Sequence, residues 1–365
     1  MIPQLSLFFF SADAGEHRQD QYQLLLESAK FADEHGFAAV WTPERHFQRF
    51  GGLYGNPSVT SAALAVLTKN ISIRAGSVVL PLQDPLRVAE EWAMIDNLSA
   101  GRAAIAAASG WHVNDFVLSP STYQDRNAYL YERIRLIQRL WRGEKIPLPN
   151  GAGAIIEVGI LPRPIQPELP IWITGRSDST FALAGKFGFN LLTGNYAVNH
   201  NVKELTRKIS IYREKIMAHH GRRGHVTLMA HTFAGSDDKA VLEIAEPAMT
   251  RYLEANLEMQ KAHSVGAAAE RGFDQLGARE STFMIRTQVN NDLRSPLSFV
   301  GTLDHCAWQA EHLCSLGVDE IACLIDFGIG FNDVMAGLER LARLVKRRPS
   351  VHMAANTTTK AALGS

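Results

Sequence analysis

Three cysteines in 365 residues, Cys306, Cys314 and Cys323, are too few and of the wrong parity for a disulfide framework, and they form neither a CxxC pair nor a zinc-ligand spacing. They are expected to be reduced thiols of an intracellular chain. Net charge is missing as well: 37 Lys and Arg balance 37 Asp and Glu, so no global field gathers nucleic acid or an anionic membrane. No apolar run approaches the roughly 20 residues that span a bilayer, and Met1 to Gln4 carries no cationic region of the kind that opens a secretory signal. A soluble, cytoplasmic protein is expected. Also absent are GxGxxG or GxxxxGK(S/T) after any candidate strand, GxSxG, HExxH, HxH and any carboxylate cluster. These absences argue against Rossmann, P-loop, serine-hydrolase and metal-site chemistry. His219 and His220 fall at a basic helix end and do not suggest a metal site. No side chain looks redox-active, so an oxidative reaction would need a bound cofactor.

What is present is an alternation of short apolar runs with amphipathic segments, the pattern of repeated βα units around a parallel sheet. Candidate strands are Gln4 to Phe10, Ala38 to Thr42, Ile71 to Leu80, Arg102 to Ala108, Ile171 to Thr174, Asn190 to Thr193, Val226 to Phe233 and Glu320 to Ile325. Helical stripes run through Tyr22, Leu25, Leu26, Ala29 and Ala32, through Leu130, Ile134, Ile137 and Trp141, and through Val334, Leu338, Leu341 and Val345. At about 150 residues per domain the length would split in two, but eight strands with helical crossovers favour one closed (β/α)₈ TIM barrel over residues 1–348. Two stretches break the rhythm. Lys145 to Pro170, rich in Pro and Gly, is expected to make a small excursion such as a hairpin. The insertion at about 236–296, between strands seven and eight, has a Gly- and Ala-rich middle from His263 to Glu280 and is expected to be a lid or binding loop. The tail, 349–365, is small and polar and is expected to be disordered.

In a barrel, ligands sit at the C-terminal strand ends. After strand two stands Glu44-Arg45-His46, where His46 is the natural general acid or base near neutral pH. Alternatively, Glu44 and Arg45 form a structural ion pair and His46 a packing residue; position alone does not separate the two. After strand five, Thr174-Gly175-Arg176-Ser177-Asp178-Ser179-Thr180 opens a helix whose free N–H groups, hydroxyls and Arg176 suit a phosphate, although plain capping explains Ser177 and Asp178 equally well. Strands three and four end in small residues, Gly76-Ser77 and Ala106 to Gly110, which leave room for a planar ring or simply allow close strand–helix packing. Trp111 and His112 follow as a possible pocket wall.

Three segments, WTPERHFQRFGGLYGNP (Trp41 to Pro57), AGSVVLPLQDPLRVAEE (Ala75 to Glu91) and LSAGRAAIAAASGWHVNDF (Leu98 to Phe116), together resemble the bacterial luciferase-like flavin-dependent monooxygenases. GVDEIACLIDFG, Gly317 to Gly328, is similar to the subgroup found in nonribosomal peptide and polyketide biosynthesis. The resemblance runs from Met1 to about Arg348. It implies a (β/α)₈ monooxygenase in which reduced FMN, supplied by a separate reductase, reacts with O₂ to a C4a-(hydro)peroxide and oxygenates an aminoacyl or polyketide-type intermediate, carrier-protein bound or free. By motif, Ser177 and Thr180 match the family's phosphate ligands, with Arg176 beside them. Gly76-Ser77 matches a non-prolyl cis peptide beside the flavin ring, and Ala108 and Ser109 match residues packed against that ring. The lid, roughly His263 to Arg294, would close over the flavin, with Arg286 and Arg294 candidates for an anionic substrate group. Homodimerisation through barrel helices is also implied.

One departure stands out. Luciferases carry two histidines after the glutamate, the first of them catalytic; here that position is Arg45, which cannot act as a base near neutrality, and only His46 remains. Arg45 is instead suited to stabilising a peroxide or binding a substrate carboxylate or phosphate. Two other readings stay open: a coenzyme F420-dependent oxidoreductase on the same barrel, and a non-catalytic flavin- or partner-binding subunit.

Overall fold

The computed structural model describes residues 2–10, 21–194, 201–263, 277–295 and 298–346. Eight parallel strands close a barrel: β1 (Gln4–Phe8), β2 (Ala39–Thr42), β3 (Ser72–Val79), β4 (Ala103–Ala108), β7 (Ile171–Thr174), β8 (Asn190–Gly194), β9 (Val226–Gly235) and β11 (Glu320–Leu324), joined in that order with β11 pairing back onto β1. Each is within two residues, at either end, of a run expected from sequence. Their crossover helices α1 (Gln23–Glu34), α2 (Pro57–Leu67), α3 (Pro85–Leu98), α4 (Arg126–Arg142), α5 (Asp178–Phe187), α6 (Val202–His220), α9 (Leu303–Ser315) and α10 (Phe331–Lys346) surround the sheet. The helix starts are written in the sequence. Asn56 caps α2 by accepting from Ser58 N–H at 2.8 Å, Asp84 caps α3 by accepting from Leu86 N–H at 2.7 Å, and a proline follows each cap. Tyr22, placed in the α1 stripe by periodicity, is the α1 N-cap instead and turns outward to donate from its hydroxyl to Leu53 O.

The excursion after α4 is an antiparallel hairpin of β5 (Ile146–Pro149) and β6 (Ile155–Val158). Between β9 and β11 lie α7 (Asp238–His263), α8 (Ala278–Arg294) and a strand missed in the sequence, β10 (Phe299–Thr302). β10 pairs with Thr232 to Gly235, the part of β9 that outruns its partner β11. Four residues, one of them glycine, are too short a run to announce a strand by pattern. The insertion is therefore mostly helical rather than a loop, and α7 and α8 each reach into the stretch from His263 to Glu280; its middle, 264–276, and the tail, 349–365, lie outside the described residues. No helix among the described residues is long and apolar enough to cross a membrane. Cys306, Cys314 and Cys323 are free thiols; burial pushes Cys323 up to about 12, and Cys306 is pushed up by the same cause.

Inside the barrel a buried ion pair spans the lumen. Arg74 on β3 reaches Glu320 on β11 with Nη1 at 3.0 and 2.9 Å from the two carboxylate oxygens. Its guanidinium lies 4.8 Å from the Trp41 ring and 4.6 Å from the Trp172 ring. Ser6 and the Trp41 indole donate to the same carboxylate, His225 Nε2 sits 3.1 Å from it, and Trp172 Nε1 donates to Thr227 Oγ1. Six of the eight strands, or the residue just before one, thus contribute to one polar and aromatic layer. Burial alone would raise the Glu320 carboxyl, but Arg74, His225 and Ser6 more than reverse this and hold it well below the usual carboxylate range.

Two outcomes follow from this layer. Arg74→Met leaves a buried carboxylate without its cation and should cost about 3–5 kcal/mol in urea denaturation at neutral pH. Because the folded-state value of Glu320 is depressed, its ionisation stabilises the protein fully above the ordinary glutamate value of 4.5, and that contribution is lost as pH falls from there toward the depressed value. Glu320→Gln should flatten this acid limb of the stability profile.

Candidate active site

β2 ends at Thr42, and the turn through Pro43 brings Glu44, 5% exposed, against the end of β3. Both carboxylate oxygens are engaged. Oε2 accepts from the Val79 N–H at 2.7 Å; Oε1 accepts from the Gln83 amide and lies 2.9 Å from His46 Nε2. An ionised carboxylate only accepts, which puts the ring proton of a neutral His46 on Nε2, facing Glu44. The structural Glu44–Arg45 pair allowed by the sequence does not form, because Glu44 is held by His46, Val79 and Gln83. Arg45 turns the other way: its guanidinium is 4.0 Å from the centroid of Phe10 and 5.9 Å from that of Trp111, a cation bedded on aromatic faces at the mouth.

The end of β3 is shaped by Gly76 and Ser77, whose peptide bond is cis. Register against β4 slips between Gly76 and Val78, which leaves Ser77 as the bulged residue. Gly76 is required sterically: a Cβ there would sit 2.7 Å from Phe8 Cε2 and 3.1 Å from Trp41 Cβ. Ser77 Oγ lies 2.6 Å from Thr174 Oγ1 at the end of β7. On β4, between β3 and β7, Ala108 is half-buried at the strand end and Ser109 half-buried just beyond it, adding a surface without bulk. Beyond them Trp111 is 43% exposed, whereas His112 is buried with Nδ1 3.4 Å from Asp115 Oδ1.

From Thr174 the chain turns through Gly175 and Arg176 into α5. Gly175 packs so tightly on the first turn that a Cβ would fall 2.3 Å from Thr180 Cγ2. Ser177 Oγ caps the helix by accepting from Thr180 N–H at 3.2 Å, and it lies 2.9 Å from both Ser179 Oγ and Thr180 Oγ1. Three hydroxyls thus crowd an open helix N-terminus, where the backbone dipoles favour an anion. α6 adds cations that the motif did not reveal. Arg207 makes a two-pronged pair with Asp178 at 2.6 and 2.8 Å, holding that carboxyl below its usual range, and Lys208 Nζ donates to Arg176 O at 2.7 Å.

These clusters are one arc. Glu44 ties the β2 loop to β3 through Val79, Ser77 ties β3 to β7 through Thr174, and Thr174 leads directly into the α5 cradle. Among the residues singled out from sequence, Glu44, His46, Gly76, Ser77, Ala108, Ser109, Thr174, Gly175, Arg176, Ser177 and Thr180 lie along it, and Arg45 flanks it. Arg286 and Arg294 do not join it; both are exposed on α8. Gln83, though inside the Ala75 to Glu91 segment, stands four residues past the end of β3, and Lys208 lies on a helix; neither was singled out, and only the folded chain shows what they touch. α7 approaches the same mouth: the Tyr252 ring is 5.2 Å from Phe50 and 4.8 Å from His231, and Arg251 donates to Gly328 O. Among the described residues no group of His, Cys, Asp or Glu could hold a metal ion. The small-walled strand ends and the hydroxyl-rich cradle suit a flat ring carrying a phosphate.

Comparison with known proteins agrees in kind. The model of the luciferase-like monooxygenases matches residues 4–320. The oxygenase component of the flavin-dependent trigonelline monooxygenase of Acinetobacter baylyi is 26% identical over 333 residues, 88% of either chain. Two solved structures share the fold. Monooxygenase RslO1 of Streptomyces bottropensis has a TM-score of 0.76 at 20% identity, covering 93% of this chain and 98% of that one. The FMN-bound oxygenating constituent of 3,6-diketocamphane monooxygenase of Pseudomonas putida has 0.73 at 18%, covering 94% and 97%. An F420-dependent secondary alcohol dehydrogenase also shares the fold, with a TM-score of 0.62 at 16% identity over 92% of this chain and 99% of that one.

The cradle depends on the absence of a side chain at Gly175. Gly175→Ala should cost about 1–3 kcal/mol in chemical denaturation, since Thr180 sits in the turn that the loop packs against.

Proposed function

The chain belongs to the luciferase-like monooxygenase family, and on that premise we propose that it is the FMNH₂- and O₂-dependent oxygenase of a two-component system. The observation that carries this is the continuity of the arc from the His46–Glu44 pair to the α5 cradle. Ser177, Thr180 and the adjoining N–H groups, with Arg176, would hold the FMN phosphate, and Gly76, Ser77, Ala108, Ser109 and Thr174 would line the space for the isoalloxazine. The bound flavin supplies the reducing equivalents that activate O₂; the protein's part is to orient, to exclude water and to manage protons. Glu44 fixes the His46 tautomer, and His46 Nδ1 takes or returns the proton. Arg45 supplies a permanent positive charge beside it, for an anionic group of substrate or intermediate. Tyr252 on α7, meeting Phe50 and His231, closes the mouth against water, with α7 and α8 as the covering element.

Reduced FMN comes from a separate reductase, in keeping with the component naming of the Acinetobacter relative. For substrate we favour an aminoacyl or polyketide-type intermediate, free or carrier-bound, on the similarity of Gly317 to Gly328 to enzymes of natural product assembly. A homodimer through α2 and α3 fits the surface, because α2 contains no charged residue and exposes Val59 and Val66 beside Met94 and Leu98 of α3.

An F420-dependent hydride transfer is the second reading, since a phosphate cradle suits either cofactor and the fold is shared with such an enzyme. Anaerobic titration separates them: reduced FMN is expected to bind and F420 not to, and the reverse would overturn the proposal. With reduced FMN and ¹⁸O₂, one labelled oxygen should enter the product; a complex that forms no flavin–oxygen adduct on rapid mixing with O₂ would point to a non-catalytic subunit. His46→Ala should lower turnover roughly a hundredfold or more while changing FMN affinity little. Unchanged turnover would remove His46 from the proton path.

A further inference from the structure

We infer that Lys208, on the outer helix α6, is part of the cofactor-phosphate site, as a residue that both positions the loop and supplies charge; this rests on the phosphate assignment above. Three observations converge. First, Lys208 Nζ donates to the carbonyl of Arg176 at 2.7 Å, and that peptide group immediately precedes the cap residue Ser177. Fixing this carbonyl fixes the peptide plane that carries the Ser177 N–H, at the entry to α5. Second, the side chain is only 18% exposed and its other contact is Glu204 Oε1 at 2.7 Å. An ammonium has three donors, so one N–H of Lys208 remains unassigned among the described residues, on a side chain that grips the carbonyl of the residue before Ser177.

Third, the local charges need it. Asp178, the first residue of α5, and Glu204, on the facing helix, would both repel an incoming phosphate. Arg207 answers Asp178 and Lys208 answers Glu204, so neither carboxylate stands uncompensated beside the helix N-terminus. Removing the Lys208 charge exposes the phosphate to an uncompensated Glu204. A purely structural brace would instead affect the loop without regard to whether the ligand carries a phosphate.

Affinities of reduced FMN and reduced riboflavin, measured anaerobically for the wild type, Lys208→Met, Lys208→Gln and Lys208→Arg, test this. The wild type should prefer FMN. Lys208→Met should lose roughly tenfold or more in FMN affinity with riboflavin unchanged; Lys208→Gln, which keeps a donor for the Arg176 carbonyl but no charge, should lose most of the preference, and Lys208→Arg should retain it. If both ligands weaken equally, or neither does, Lys208 is a structural residue or an irrelevant one and the inference fails. If the wild type itself binds FMN and riboflavin alike, the phosphate assignment falls instead. Should Lys208→Met lower the melting temperature, the Gln and Arg variants decide the outcome by the same comparison.

Discussion

The buried Arg74–Glu320 pair is the interaction on which the rest of the barrel depends. A small barrel must fill its lumen, and here the fill is a guanidinium laid against Trp41 and Trp172 and aimed at a carboxylate from nearly the opposite wall. Such a pair offers little net stabilisation compared with an apolar filling, because two charges must leave water. What it imposes is geometry. Ser6, Trp41, Thr227 and His225 satisfy the remaining donors and acceptors of this layer, so β1, β2, β3, β7, β9 and β11 are held to one register, each with its C-terminal end at a set height.

That height places the arc of the candidate site. Gly76 and Ser77 lie two and three residues beyond Arg74 on the same strand, so the layer that plugs the barrel is also the floor beneath the strand ends. Phe8 and Trp41 press on Gly76 from that floor and leave it no room for a side chain. Glu44 and Ser77 then act as short ties between adjacent strands, and the cradle at α5 is reached through Thr174 without leaving the barrel rim. The site is thus built chiefly from neighbouring strands β2, β3, β4 and β7, while α7 reaches the rim from the far side through Tyr252, Phe50 and His231.

Much of this was legible in the chain. Eight apolar runs with helical stripes between them specify a closed barrel, because period-2 and period-3.6 burial leave few other ways to hide those residues. Gly76-Ser77 and Ser177-Asp178-Ser179-Thr180 were visible because their signals are local: small residues at a strand end, a hydroxyl before a helix; the side chains that leave Gly76 no room for a Cβ, Phe8 and Trp41, come from other strands. The partner of Glu44 was not, since a carboxylate beside both an arginine and a histidine has two local choices, and the one made depends on Val79 and Gln83, thirty-five and thirty-nine residues away. β10 was hidden for a similar reason, as it is a strand only because β9 outruns β11 and offers it a free edge.

The sequence by itself determined the repeated unit, the barrel class and the strand ends that carry polar residues, because each of these follows from side-chain period and cap chemistry within a short window. Tertiary structure alone decided which of those residues meet: that His46 pairs with Glu44 while Arg45 stacks on Phe10, that Ser77 reaches Thr174, and that Lys208 of α6 braces the loop before α5. Hydrogen bonds and ion pairs are specific to within a few tenths of an ångström, and no local pattern encodes distances between segments that only barrel closure brings side by side.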